Sequence, residues 1–251
     1  MLCALCCVLL GACKTAETAS ETVAASAPSM EQALIDKLVA AQGGRDAMKS
    51  LTSLRMTGEV YMPSVGMTMP LTITQKRPNK AHIRVEVPSA GMEVVNAYDG
   101  ETAWQINPMM GGTQKVTGEQ ARTFREQADI DGILVDYAAK GYAVEYVGDA
   151  DVKGTPAKKL RVIRPDSSEV FVYLDGTTFL QVKTEGEGAD PMSGAKTTVE
   201  TFISDYRDVD GRQMAFKMEV VMGGLPFQTV TMKDIKTNVA VDDALFAYPK
   251  Q

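Results

Sequence analysis

Residues 54–62 read Leu-Arg-Met-Thr-Gly-Glu-Val-Tyr-Met. Leu54, Met56, Val60 and Met62 fall on one side of an extended chain, and Arg55, Thr57, Glu59 and Tyr61 on the other. Successive side chains of a strand point to opposite faces, so this alternation describes a strand with one buried face. The same period continues outward. Leu71 and Ile73 alternate with Thr72 and Thr74, and Ile83, Val85 and Val87 alternate with His82, Arg84 and Glu86. Residues 92–108 read as a hairpin about Asp99-Gly100, a turn dipeptide.

Further along, residues 142–148, 157–164, 169–176, 177–185, 197–207, 213–222 and 227–236 repeat the pattern, with Asp-Gly turns at Asp175-Gly176 and Asp210-Gly211. Phe216, Met218, Val220 and Met222 share one face, opposite Lys217, Glu219 and Val221. This predicts about 11–12 short antiparallel strands. So many strands do not stay flat, and the expected architecture is mainly β: an antiparallel sheet curled into an incomplete barrel. No internal repeat interrupts it.

Helices punctuate the sheet. Leu34, Ile35, Leu38 and Val39 recur at helical spacing before the pair Gly43-Gly44, and residues 45–51 predict a second short helix. Between the sheet halves, Thr117 is placed to cap a helix on whose face Phe124 and Ala128 stand four residues apart. Ile133, Leu134 and Tyr137 form another apolar stripe. The expected insert is two helices, or one kinked helical hairpin, lying as a lid over the curl. Residues 241–249 read as a single turn that plugs Phe246 against the sheet. A curled sheet with helices across its mouth encloses a cavity.

All four cysteines, Cys3, Cys6, Cys7 and Cys13, precede this body. Residues 2–12 are uncharged and mostly apolar, too few to cross a bilayer as a helix. They read as a secretory signal ending in Leu10-Gly11-Ala12-Cys13, which resembles a bacterial lipobox. That resemblance implies cleavage before Cys13 and lipid attachment to it. No Lys or Arg precedes the apolar run, as a secretory n-region ordinarily would. Residues 14–29 are Ala, Ser, Thr and Glu with almost no large apolar group, the composition of a tether. The expected division is therefore signal 1–12, lipidated Cys13 and tether 13–29, and one domain 30–251. Zinc binding is disfavoured: Cys3 and Cys6 have CxxC spacing but sit inside the apolar run without further ligands.

Composition narrows the chemistry. The formal net charge is −6, with no concentrated run of Lys or Arg, so a nucleic-acid surface is not expected. With one histidine, His82, expected to be exposed on the polar face of a strand, a Ser-His-acid triad has little to draw on. Zinc-hydrolase signatures are absent, and GGRDAM and EGEGAD lack the spacing of a phosphate loop. No enzyme activity, metal or cofactor is expected. Methionine is plentiful at 15 residues, while tryptophan occurs once. Met62, Met67 and Met69, and Met109 with Met110, cluster beside Pro and Gly turns. Thioethers bind Cu(I), but without His or Cys support these sets read better as apolar lips of a cavity. Ordinary hairpin turns with partly buried Met remain the plainer alternative.

The order of a helix, AQGGRDAMKSLTSLRMTGEV, NPMMGG, a helical insert, SDYRDVDGRQMAF and a closing DDALFAYP resembles LolA-like outer-membrane lipoprotein-sorting proteins. The likeness is greatest to stand-alone relatives of a domain found attached to insulinase-type zinc peptidases. It covers about Met30 to Pro249. It implies a LolA/LolB-like fold, an apolar cavity for acyl chains, and a carrier or acceptor role in sorting envelope lipoproteins. It also implies a location at the outer membrane, consistent with Lys14 after the Cys. The expected cavity residues are Met56, Val60, Ile73, Val85, Phe216, Met218, Val220 and Met222, with Trp104, Met109 and Met110 at the mouth. The partners implied are acyl chains of lipoproteins or phospholipids, the membrane through the anchor, and an envelope protein. The alternative is a non-catalytic structural or partner-binding module of an envelope peptidase or assembly system, whose apolar face would be filled core.

Overall fold

The computed structural model describes residues 28–190 and 194–249. The signal, Cys13 and the tether as far as residue 27 lie outside the described residues.

Alternation produces one antiparallel sheet of thirteen strands. The first six are β1 (Ser53–Met62), β2 (Met67–Lys76), β3 (Lys80–Val87), β4 (Met92–Tyr98), β5 (Ala103–Asn107) and β6 (Gly112–Lys115). The rest are β7 (Ala143–Val152), β8 (Thr155–Ile163), β9 (Glu169–Asp175), β10 (Gln181–Ala189), β11 (Lys196–Val209), β12 (Arg212–Met222) and β13 (Leu225–Thr237). Their order is β6-β5-β4-β3-β2-β1-β13-β12-β11-β10-β9-β8-β7. Two meanders are thus joined where the first strand meets the last, with Leu54 opposite Thr237 and Val60 opposite Val230. The sheet is open, with β6 and β7 at its edges. The strand that sequence missed is β6, whose Gly-Thr-Gln-Lys has no large apolar residue and so no alternation to read.

Gly58 makes the joint close. Lys233 of β13 has no opposite number, since Thr57 faces Asp234 and Gly58 faces Met232. At this irregularity a Cβ on Gly58 would lie 2.2 Å from the Thr231 carbonyl oxygen.

Three α-helices pack on the sheet: α1 (Met30–Ala41), α2 (Gly44–Ser50) and α3 (Gly118–Gln127). The Ser29 side chain caps α1 by accepting from the Gln32 amide. Its buried residues are the periodic set Leu34, Ile35, Leu38 and Val39. They pack on Leu160, Val162, Val172 and Leu174 of β8 and β9. Gly43 turns the chain from α1 to α2 at φ +104°, against the Gly211 carbonyl of the β11–β12 hairpin.

The insert contains one α-helix, α3, rather than two. Ile133, Leu134 and Tyr137 follow in irregular turns that pack beside α1. Positive φ at Gly132 and Asp136 breaks the helical run there. Arg77 holds these turns: its guanidinium donates to both Asp131 carboxylate oxygens at 2.6 Å and to the Leu51 and Met48 carbonyls at 2.6 and 2.8 Å.

A 3₁₀ turn at Asp243–Leu245 delivers Phe246, which is fully buried. The segment covers the outer face of β3–β5, where Val95, Ala97, Trp104, Ile106 and Tyr248 form a small core of their own. His82 shares that face with its ring edge-on to Trp104, 6.2 Å between centroids, and is half-buried rather than exposed. Desolvation lowers its pKa, with Glu93 pulling the other way.

Candidate functional site: an apolar cavity in the concave face

On the concave face, the inward side chains of β1–β4 and β11–β13 meet around a hollow of about 460 Å³. Its wall is built by the period of two. Val60 and Met62 come from β1, Met69, Leu71 and Ile73 from β2, Ile83, Val85 and Val87 from β3. Met218 and Val220 from β12 and Val230 from β13 close the other side. The polar residues in the wall are Asn96, Gln127, Thr201 and Gln228, and no ionisable side chain lines it. Such a volume lies within the range of about 300–1,000 Å³ usual for small-molecule pockets.

Val60, Ile73, Val85, Met218 and Val220 line the hollow, as does Met109 at its rim. Met110 stands beside Met109, outside the wall and exposed. Three of the residues expected in the wall lie elsewhere. Met56 and Phe216 belong to the same apolar cluster as Leu51, Leu54 and Ile235 but do not line the hollow, and Arg207 covers the Phe216 ring at 4.4 Å. Met222 is the last residue of β12, opposite Leu225. Trp104 is not at the mouth. It is on the opposite face, 2% exposed, and its indole nitrogen donates to the Phe246 carbonyl at 2.8 Å. Its face is fixed by pairing with Ala97, and burial there needs the C-terminal cover. Sequence reading missed Met69, Leu71, Ile83 and Val230, although the same alternation marks them.

The helix α3 lies on the concave side. Phe124 and Ala128 pack on Ala81, Tyr98 and Ala103, and Gln120 donates to Gln105 at 2.9 Å. Its other side reaches the β8–β9 turn on the far arm. Arg164 forms a two-point pair with Glu126 at 2.7 and 3.0 Å, and Arg122 pairs with Asp166. The Ser168 hydroxyl and amide, followed by Arg122, hold the Asp166 carboxyl down to about 2. α3 therefore ties the two arms of the sheet across the concave side.

A polar hollow of about 660 Å³ lies beside this tie, lined by Arg122, Arg164, Asp166, Glu185, Glu187 and Lys196 among others. Its charges are paired, Lys196 with Glu187 within it and Arg164 with Glu126 beside it, so it lacks a free charge to attract a ligand. Among the described residues no three His, Cys, Asp or Glu side chains gather as a metal site.

Solved structures share this architecture. A LolA superfamily protein from Nitrosomonas europaea superposes with a TM-score of 0.59 at 12% identity, covering 88% of this chain and 98% of that one. A domain described as an outer membrane lipoprotein-sorting protein from Vibrio parahaemolyticus gives 0.57 at 13% identity, over 85% and 94%. A DUF1329 family protein from Desulfovibrio piger gives 0.61 at 14% identity, over 86% and 97%. The chain has a LolA-like fold: an open, curled antiparallel sheet with helices on its concave side. No sequence-family model matches the chain, and no curated protein does.

Proposed function

We propose that the protein binds an acyl chain, or an apolar group of similar size, in the concave cavity and serves in lipid or lipoprotein handling in the bacterial envelope. The observation that carries this reading is the hollow itself, about 460 Å³ with an apolar wall and no ionisable side chain. A filled core would leave no such space, because interiors pack nearly without voids. Each methylene moved from water into the wall contributes about 0.8 kcal/mol. The uncharged Asn96, Thr201 and Gln228 accept an ester or amide without favouring an ion.

The names of the Nitrosomonas and Vibrio structures support the envelope setting. In this proposal the lipobox-like Leu10-Gly11-Ala12-Cys13 supplies a lipid anchor at Cys13, and residues 14–29 tether the domain to the outer membrane, facing the periplasm. Binding requires no bond chemistry, so the reading is of a carrier or acceptor, not an enzyme.

The test uses delipidated protein and an apolar dye that brightens out of water. Wild type is expected to brighten the dye and to release it to a long-chain fatty acid. Filling the hollow with Val85→Phe and Val220→Phe should cut dye affinity by about tenfold or more, the equivalent of losing a few buried methylenes. A folded wild type that leaves the dye dark sinks the proposal.

A further inference from the structure

Within the nine neighbouring strands from β6 to β11, the connections alternate between two ends of the sheet, as antiparallel neighbours must. At one end the tips are Pro63-Ser64-Val65-Gly66, Pro88-Ser89-Ala90-Gly91, Pro108-Met109-Met110-Gly111 and Gly223-Gly224-Leu225-Pro226. All sixteen residues are exposed and none is charged. At the other end every connection carries charge: Arg77 between β2 and β3, Asp99 and Glu101 between β4 and β5, Asp210 between β11 and β12.

Turn geometry explains the Pro and Gly of the first set. It does not explain the apolar side chains between them. Of the seven large apolar side chains exposed among the described residues, Val65, Met109, Met110 and Leu225 sit on these tips. Tyr61 stands two residues before one of them. Leu225 is 72% exposed and Met109 75%. The cavity reaches the same end: Met62 and Val87, each the last residue of its strand, and Met109 itself are in its wall.

We propose that these four tips are a docking end that seats on the surface of a phospholipid bilayer, with the cavity mouth facing the lipid. A protein partner is a poorer fit. Protein interfaces need a polar rim and about one hydrogen bond per 100–200 Å². These tips offer two serine hydroxyls and backbone. A bilayer interface takes short apolar side chains with Tyr at headgroup level and needs no directional match. The absence of charge makes the preferred surface zwitterionic. No described helix is long and apolar enough to cross a membrane. At most about 55 Å of extended chain separates Cys13 from Ser29, so an anchored chain keeps this end within reach of its membrane. The proposal shares with the proposed function the position of the mouth and the Cys13 anchor, and the dye and vesicle assays, the latter on a chain without the anchor, fail independently.

The experiment uses the full chain with Cys3, Cys6, Cys7 and Cys13 replaced by Ala, which also removes lipidation. Single cysteines at Val65→Cys, Met109→Cys and Leu225→Cys carry a polarity-sensitive fluorophore. Controls are Val147→Cys on the edge strand β7 and Thr177→Cys on the β9–β10 turn. With phosphatidylcholine vesicles, the three tip labels should shift blue and be quenched by lipid-borne spin labels, while both controls stay unchanged. The shift should survive about 0.5 M salt, where surface charge is screened. In the same cysteine-free chain, Val65→Glu, Met109→Glu and Leu225→Glu together should lower vesicle affinity about tenfold or more, as expected for charge brought to an apolar contact. Tip labels that do not shift, controls that shift equally, or a shift that requires anionic lipid overturns the proposal.

Discussion

Gly58 shows how much one missing side chain can hold. It sits where β1 meets β13, and any Cβ there would strike the Thr231 carbonyl oxygen. Gly58→Ala should therefore destabilise the protein by about 1–3 kcal/mol, the cost of overpacking a close backbone approach. Urea unfolding checks this, and an unchanged midpoint would contradict it. His82 offers a different handle. Its pKa is lowered in the folded protein by burial, so below the unfolded value of about 6.5 the unfolded chain binds the proton more readily. Its contribution is full above that value and is lost as the pH falls from there through the lowered folded pKa. His82→Gln should lose less stability than wild type between pH 7 and pH 5, measured as the difference in urea midpoints. Equal losses would remove His82 from the account. The burial of His82 was not legible in its strand, whose polar face reads as exposed. Its ring neighbour is Trp104, which is itself held by Tyr248 and the Phe246 carbonyl from the far end of the chain.

At the scale of elements, the strands were legible because alternation needs only local chain. The strand β6 escaped because it has nothing to alternate. The predicted second helix of the insert fails for another reason: Ile133, Leu134 and Tyr137 have helical spacing, yet the chain between them turns at positive φ while Arg77 holds Asp131. A side chain 54 residues distant thus helps settle a local conformation. The cavity wall was half legible, since period two assigns a face but not a depth. Met56 shares the face of Val60 but does not reach the hollow. The tie between α3 and the far arm could not be read at all, because it joins Glu126 to Arg164 across the curl. Both side chains are mostly buried, 23% and 12% exposed. A double-mutant cycle with Glu126→Gln and Arg164→Met should give a coupling of about 1–2 kcal/mol, as for a two-point charged hydrogen bond with limited solvent access. Coupling near zero would show that the tie does not hold the arms.

For the whole molecule, the feature that governs stability is the joint between β1 and β13. The other strand pairings join neighbours in the chain through hairpins or short loops. This one brings Leu54 opposite Thr237. A chain ending before Leu225 keeps both meanders but loses the strand that joins them, leaving the α3 tie across the concave side, and β1 is left with an open edge. It should melt without a cooperative transition and bind a dye of exposed apolar surface. A sharp melt would mean that the meanders are stable alone.

The same joint sets a clock on biosynthesis. Hairpins close in microseconds, but a contact spanning nearly the whole chain must wait until its second half exists. A nascent chain emerging from β1 onward carries the Val60 and Leu71 face uncovered throughout synthesis of some 160 further residues. Under the export proposed from Leu10-Gly11-Ala12-Cys13, that delay keeps the complete sheet from closing until its own last strand arrives.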